Sequence, residues 1–241
     1  MVRVGCVGFP IGRDRYWGTL SFVEAKTGER LPRPATLAEW RRSAPQGAEF
    51  SLQAYRVITH GREDRGFPPA AKKLSVSRQN QCGAFRESLE VHEAWMSTKA
   101  AAEILGAKIV LFETPASFQP GPDRLRAMYR FFKNLARGRF ACVWHPRGAA
   151  WGPSLLEKVC ADLGLIRAFD PLREAAAKRG PFRYMRPLGP RAGTLSVDNL
   201  ATIRQIPDDI PAYLVFSHRD GFRDAERLLE GARGRNRWRR R

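Results

Sequence analysis

Apolar positions along this chain fall in short unbroken runs separated by stretches of helical period. The pattern predicts strands buried on both faces, alternating with amphipathic helices. Val2–Val7 reads as the first strand and Ser21–Ala25 as the second, with Phe9–Leu20 between them too short for a full crossover helix. Ala35–Ala44 reads as a helix stopped by Pro45, and Glu49–Ala54 as a third strand through the alternation of Phe50 and Leu52. The polar stretch Arg56–Cys82, with Gly61, Gly66, Pro68 and Pro69, reads mostly as loop, and Gly83–Leu105 as the longest helix, stopped by Gly106. Lys108–Phe112 (strand), Pro122–Arg137 (helix), Arg139–Trp144 (strand), Pro153–Leu163 (helix) and Leu165–Phe169 (strand) then alternate strictly. Phe182–Arg186 (strand), Val197–Gln205 (helix), Ala212–Phe216 (strand) and Asp220–Gly231 (helix) complete the series. Eight strands separated mostly by helices or long crossovers imply an α/β fold with a parallel sheet.

The length of 241 residues fits one barrel of roughly 250 residues as well as it fits two small domains. With 43% hydrophobic and 27% charged residues, 6 Trp and 14 Phe, the chain can bury a sizeable core, and disorder as a whole is excluded. Its longest apolar runs, such as Ala107–Phe112, fall far short of the roughly 20 residues of a bilayer span. Met1–Val4 leads straight into a strand without the apolar segment of a signal peptide, so a cytoplasmic location and no membrane partner are expected. Cys6, Cys82, Cys142 and Cys160 are scattered and read as buried thiols.

A more specific reading comes from the ordered residues themselves. Val2-Arg3-Val4-Gly5-Cys6-Val7-Gly8 opens the chain, and Phe22-Val23-Glu24 precedes Arg30-Leu31-Pro32. Pro34-Ala35-Thr36-Leu37-Ala38-Glu39-Trp40 then leads through Phe50-Ser51-Leu52-Gln53-Ala54 to Ile58-Thr59-His60. In these segments, and in weaker matches up to about Leu229, the chain resembles the YecE-like domain-of-unknown-function family. The resemblance implies a single-domain (β/α)8 barrel of the triosephosphate-isomerase type, distantly related by fold to the apurinic endonucleases and xylose isomerases; the short Phe9–Leu20 segment shortens its first crossover helix in this chain. The barrel is expected over residues 1–231, followed by a basic tail at 232–241. The chain also departs from the family: Gln53 stands where the family has a Lys in strand three, and Ser217 and His218 stand where it has paired Asn.

In such barrels chemistry gathers at the C-terminal ends of the strands. Glu24, His60, His145 and His218 are therefore the candidate catalytic residues, expected with Arg186 around one cavity. Gln53, Arg186, Gly189 and Arg191 are the candidate substrate contacts. Imidazoles and carboxylates together suit a divalent metal that activates water, although no metal-binding spacing supports one and no metal ligands are assigned. Glycines after strand seven, beside Arg186 and Arg191, suit an anion held by backbone N–H groups. The competing structural reading has Glu24 and Arg186 paired in the barrel mouth and the histidines capping strand ends.

Charge adds a partner class. Lys and Arg number 42 against 24 Asp and Glu, a net +18, and six of the last nine residues are Arg. A surplus of that size favours polyanions through counterion release. A proteome-wide basic bias would produce the same total. Arg126, Arg130, Lys133 and Arg137 recur at helical spacing, and Arg235, Arg237, Trp238 and Arg239 combine phosphate contacts with a base-stacking ring. The expected function is nucleic-acid association, by DNA or RNA, as a phosphodiester hydrolase or as a non-catalytic binder. The alternative is a barrel enzyme acting on a small phosphorylated or sugar-like metabolite.

Overall fold

A computed structural model describes residues 1–148, 150–175, 180–207 and 209–231. The parallel strands β1 (Val2–Val7), β2 (Phe22–Ala25), β3 (Glu49–Gln53), β4 (Ile109–Thr114), β5 (Ala141–Pro146), β6 (Ile166–Phe169), β7 (Arg183–Met185) and β8 (Ala212–Phe216) follow chain order around a closed barrel. Closure comes from β1 pairing with β8, in a register running from Val2 opposite Ala212 to Cys6 opposite Phe216. Between the strands lie α1 (Arg13–Thr19), α2 (Pro34–Ser43), α3 (Val76–Gln79), α4 (Leu89–Leu105), α5 (Pro122–Asn134), α6 (Pro153–Leu163), α7 (Val197–Gln205) and α8 (Gly221–Glu230). Proline opens α5 and α6, where the missing N–H costs nothing, and Gly106 and Gly164 end α4 and α6 in left-handed conformation.

The contacts gather into two compact halves: residues 1–25, 42–50 and 168 onward, and residues 26–41 with 51–167. In the first half the shortened crossover works through one side chain. Tyr16 of α1 is fully buried; its hydroxyl donates to the Phe22 carbonyl (2.6 Å) and accepts from the Cys6 N–H (2.9 Å), latching α1 across β1 and β2. Gly5 permits the close approach of these strands, since a Cβ there would fall 2.3 Å from the Phe22 oxygen. Phe9, Tyr16, Trp17 and Phe50 pack edge to face around this latch.

The second half is built on a cluster of Phe85, Trp95, Phe112, Phe131 and Phe132, with Phe112 and Phe132 centred 5.0 Å apart. Two helix bounds differ from the sequence reading by more than a single residue. The helix expected from Gly83 starts at Leu89, where the Ser88 hydroxyl accepts from the Val91 N–H (3.3 Å). Gly83, Ala84 and Phe85 instead take φ of 82°, 51° and 55°. The helix expected to reach Arg137 ends at Asn134, and Arg137 turns to cap α6 through the Leu163 and Gly164 carbonyls (2.6 and 3.1 Å). All four cysteines are buried and form no disulfide.

Candidate functional site

In the first half, β2 delivers Glu24 and β7 delivers Tyr184 and Arg186. The Glu24 carboxylate accepts the Tyr184 hydroxyl at 2.7 Å and Arg186 Nη2 at 3.1 Å. Both charged side chains are buried, at 0% and 4% exposure, so each depends on the other for compensation. His218, just past β8, shares its Nε2 with Asp224 Oδ2 at 2.8 Å. Asp224, fully buried in the first turn of α8, also accepts the Leu195 N–H (2.8 Å) and Arg227 (2.9 Å). Gly189 lies against the His218 ring so closely that a Cβ would fall 2.2 Å from Cγ. Asp170 ties down the start of the following loop by accepting from Leu172 and Leu188 N–H (3.0 and 3.2 Å). The Gly193 N–H, one of the expected anion donors, already serves Asp220 (3.1 Å), and Arg191 is exposed.

In the second half, β4 and β5 run two residues beyond the sequence reading, and this extension places Glu113 directly opposite His145. Glu113 accepts Arg56 (2.9 Å) and Arg147 (3.0 Å), with His145 Nδ1 3.5 Å from the same carboxylate. Arg56 bridges to Glu29 as well. His60 receives or donates one hydrogen bond at Nδ1 with the Thr59 hydroxyl (2.8 Å), so any ligand contact of this ring runs through Nε2. Burial pushes its imidazole down to about 4, with the charge of Arg56 adding to the effect, and it is neutral at neutral pH. The Gln53 carbonyl, at the end of β3, accepts the Thr27 hydroxyl.

A cleft of about 880 Å³ opens in this same half, walled by the loops after β3 and β4 and by the first turns of α5. Thr59, Gly61, Asp64, Arg86, Ser117 and Arg124 are among its lining. Sequence reasoning missed Arg56, Glu29, Arg86, Arg147 and Asp224. The one available signal was the unusual length of the Arg56–Cys82 loop, since long loops inside compact domains are commonly functional.

The expected basic stripe on α5 is largely compensated. Arg126 pairs with Asp123 (3.2 Å), Arg130 with Glu87 (3.3 Å), and Lys133 lies over the Tyr129 ring. Arg137 leaves the stripe for its capping role. Arg235, Arg237, Trp238 and Arg239 lie outside the described residues. The charge is unevenly distributed all the same. Residues 26–41 and 51–167 hold 22 Lys and Arg against 12 Asp and Glu, residues 1–25, 42–50 and 168–231 hold 14 against 12, and the tail at 232–241 adds six Arg with no acidic residue. Among the described residues, no group of three or more His, Cys, Asp or Glu is placed to hold a metal ion. Glu24 and Glu113 face guanidinium groups instead. No helix among the described residues is long and apolar enough to cross a membrane.

Two solved structures of similar fold are DUF72 family proteins. One, from Thermotoga maritima, is 13% identical, with TM-score 0.66, over 97% of this chain and 99% of that one. The other, from Enterococcus faecalis, is 14% identical, with TM-score 0.63, over 97% and 94%. Endonuclease IV from Thermus thermophilus is similar at 13% identity and TM-score 0.57, over 95% of this chain and 100% of that one. At these identities the likeness carries the fold alone. No curated protein matches the sequence. The model of the family described as "Protein of unknown function DUF72" matches residues 15–233, and the chain belongs to that family.

Proposed function

We propose that this barrel is a nucleic-acid binder that holds phosphates on the surface formed by residues 26–41 and 51–167. The observation that carries the reading is the surplus of ten basic residues in that half, against near balance in residues 1–25, 42–50 and 168–231; the tail at 232–241 adds six Arg of its own. Phosphate neutralisation by clustered Lys and Arg is the dominant, sequence-independent part of nucleic-acid affinity. The similarity in fold to an endonuclease agrees with this reading. The carboxylates at the strand ends are engaged by arginines, which favours binding over hydrolysis.

The test is retention of the full chain on single- and double-stranded nucleic acid across a salt series. Binding is expected to fall steeply, each phosphate contact adding about 0.7–0.9 to the log–log slope. Absence of retention at about 0.1 M salt removes the reading. A second reading, an enzyme on a small phosphorylated or sugar-like metabolite, has one observation in its favour: the cleft volume of about 880 Å³ lies within the range of small-molecule sites.

A further inference from the structure

The walls of the 880 Å³ cleft carry three arginines, Arg62, Arg86 and Arg124, and three carboxylates, Glu63, Asp64 and Asp123. Their hydrogen bonds separate these groups. Glu63 is taken by Arg62 (2.6 Å) and Asp123 by Arg126 (3.2 Å). Asp64 accepts at both oxygens from neutral donors, the Gly61 N–H (2.7 Å) and the Ser117 hydroxyl, which fix it in place and leave one carboxylate charge facing two arginines. Arg86 and Arg124 differ from Arg62, because they bond only to main-chain carbonyls. Arg86 Nη1 donates to Cys82 (2.7 Å) and Gly83 (3.3 Å), while Arg124 donates to Ser117 and lies 5.9 Å over the Phe118 ring. Carbonyls orient a guanidinium without cancelling its charge, and the remaining N–H donors of the fork stay available to a ligand.

The segment that delivers Arg86 is held in a costly backbone conformation. Gly83, Ala84 and Phe85 are successive left-handed residues, two of them not glycine. They are fastened to the strand-end loop by Gly83 N–H to Val57 (2.8 Å), Ala84 N–H to Thr59 (3.2 Å) and Phe85 N–H to Ile58 (2.9 Å). Phe85 then anchors in the aromatic core. Strain kept by this many restraints fixes the cleft wall and the arginine that follows it.

We infer that this cleft is a phosphate-binding site in which Arg86 and Arg124 form a two-arginine clamp. The inference rests on the nucleic-acid reading for the source of phosphate and on the cleft for its location. Uncancelled, carbonyl-anchored guanidiniums suit phosphate oxygens better than sugar hydroxyls, because the fork matches a tetrahedral anion bidentately. A nucleic-acid strand offers repeated phosphates to both arginines, and a phosphorylated small molecule offers the same chemistry once.

The test measures a fluorescent oligothymidylate of about eight nucleotides, a length within the usual site size for single strands, and inorganic pyrophosphate as a separate probe. The Arg86→Gln/Arg124→Gln variant is expected to weaken the oligonucleotide at least tenfold. It should also lower the salt slope by about 1.4, two contacts at roughly 0.7 each. The charge-matched pair Arg219→Gln/Arg223→Gln, outside this half, is expected to change affinity less than twofold. Ala127→Glu, which keeps both arginines and adds a carboxylate to the cleft lining, should also weaken binding tenfold, and serves if the double Gln variant fails to fold. Equal oligonucleotide affinity in wild type, the Gln pair and Ala127→Glu overturns the clamp and leaves the nucleic-acid reading standing. If the oligonucleotide is never retained but pyrophosphate raises the melting temperature of wild type and not of the Gln pair, the clamp stands and the nucleic-acid reading falls. Response to neither probe overturns both.

Discussion

Glu24→Gln isolates the buried ion pair. Glu24 is fully buried and its carboxylate compensates Arg186, which is 5% exposed, while also accepting the Tyr184 hydroxyl. Gln is nearly isosteric and its amide oxygen can still accept from Tyr184, so the main loss is the negative charge beside a guanidinium that cannot deprotonate. Removing one partner of a buried pair costs about 3–5 kcal/mol. In a chain of this length each kcal/mol lowers the melting temperature by about 2–4 °C, which gives a fall of roughly 6–20 °C. The assay is urea and thermal unfolding of wild type, Glu24→Gln, Arg186→Met and the double variant. Because the cost in each single variant is an uncompensated charge or lost acceptor, the double variant should be more stable than the sum of the singles predicts, with a coupling of about 1–3 kcal/mol. A loss below about 1 kcal/mol in Glu24→Gln, or strict additivity in the cycle, would refute the claim that the pair compensates itself in the absence of water.

Three further outcomes follow from the same structure. His60, lowered by burial to about 4 from an ordinary value near 6.5, takes up its proton in the unfolded chain first; stability is full above about pH 6.5 and declines as pH falls toward 4. The loss amounts to about 3 kcal/mol, and His60→Gln should flatten that part of the wild-type curve of urea midpoint against pH; identical curves would contradict it. Gly83→Ala places a Cβ 2.4 Å from the Gly61 nitrogen and 2.5 Å from the His60 carbonyl carbon at φ 82°, so a cost of at least about 1–3 kcal/mol is expected in chemical denaturation, and a neutral substitution would mean that the 83–85 segment is not held as described. Deleting Gly234–Arg241, which removes five arginines, should lower the salt slope of nucleic-acid binding without altering sequence preference, because arginine–phosphate contacts carry no base code; an unchanged slope would show that the tail does not take part.

The alternation of the barrel was legible because parallel strands covered on both faces appear as unbroken apolar runs, and because Pro122, Pro153, Gly106 and Gly164 punctuate the helices locally. Errors arose where distant contacts decide. The start of α4 shifted because residues 83–85 spend their hydrogen-bonding groups on residues 57–59, a pairing that no local pattern announces. Arg137 left α5 because the exposed carbonyls of α6 needed a donor. The Glu24–Arg186 pair could be anticipated, since a buried arginine at a strand end requires a carboxylate. Asp224, Glu29 and Arg56 could not, because each of their pairings needs at least one group carried by a loop or helix turn whose path the sequence does not specify.

The state of the strand-end carboxylates separates binding from catalysis. Glu24 is compensated by Arg186 and bonded to Tyr184; Glu113 is shared between Arg56 and Arg147 with His145 beside it. To serve as a base or a metal ligand, either carboxylate would have to surrender a guanidinium; for the fully buried Glu24–Arg186 pair, leaving that cation uncompensated costs several kcal/mol before any proton moves. His60 offers no easy substitute, since a group lowered to about 4 is a weak base at neutral pH. Arg86 and Arg124 are in the opposite condition: oriented by carbonyls, uncancelled, and beside open volume. A phosphate can reach them without breaking any ion pair. The least costly chemistry for this frame is therefore to hold an anion, and hydrolysis would require a ligand-driven rearrangement of the Glu24 and Glu113 pairs. Nucleic-acid binding that persists in Glu24→Gln protein retaining its fold would match this division between a compensated scaffold and an uncancelled clamp. Binding that tracks the loss of the Glu24 charge in folded protein would place the scaffold pair in the ligand's path and reverse the argument.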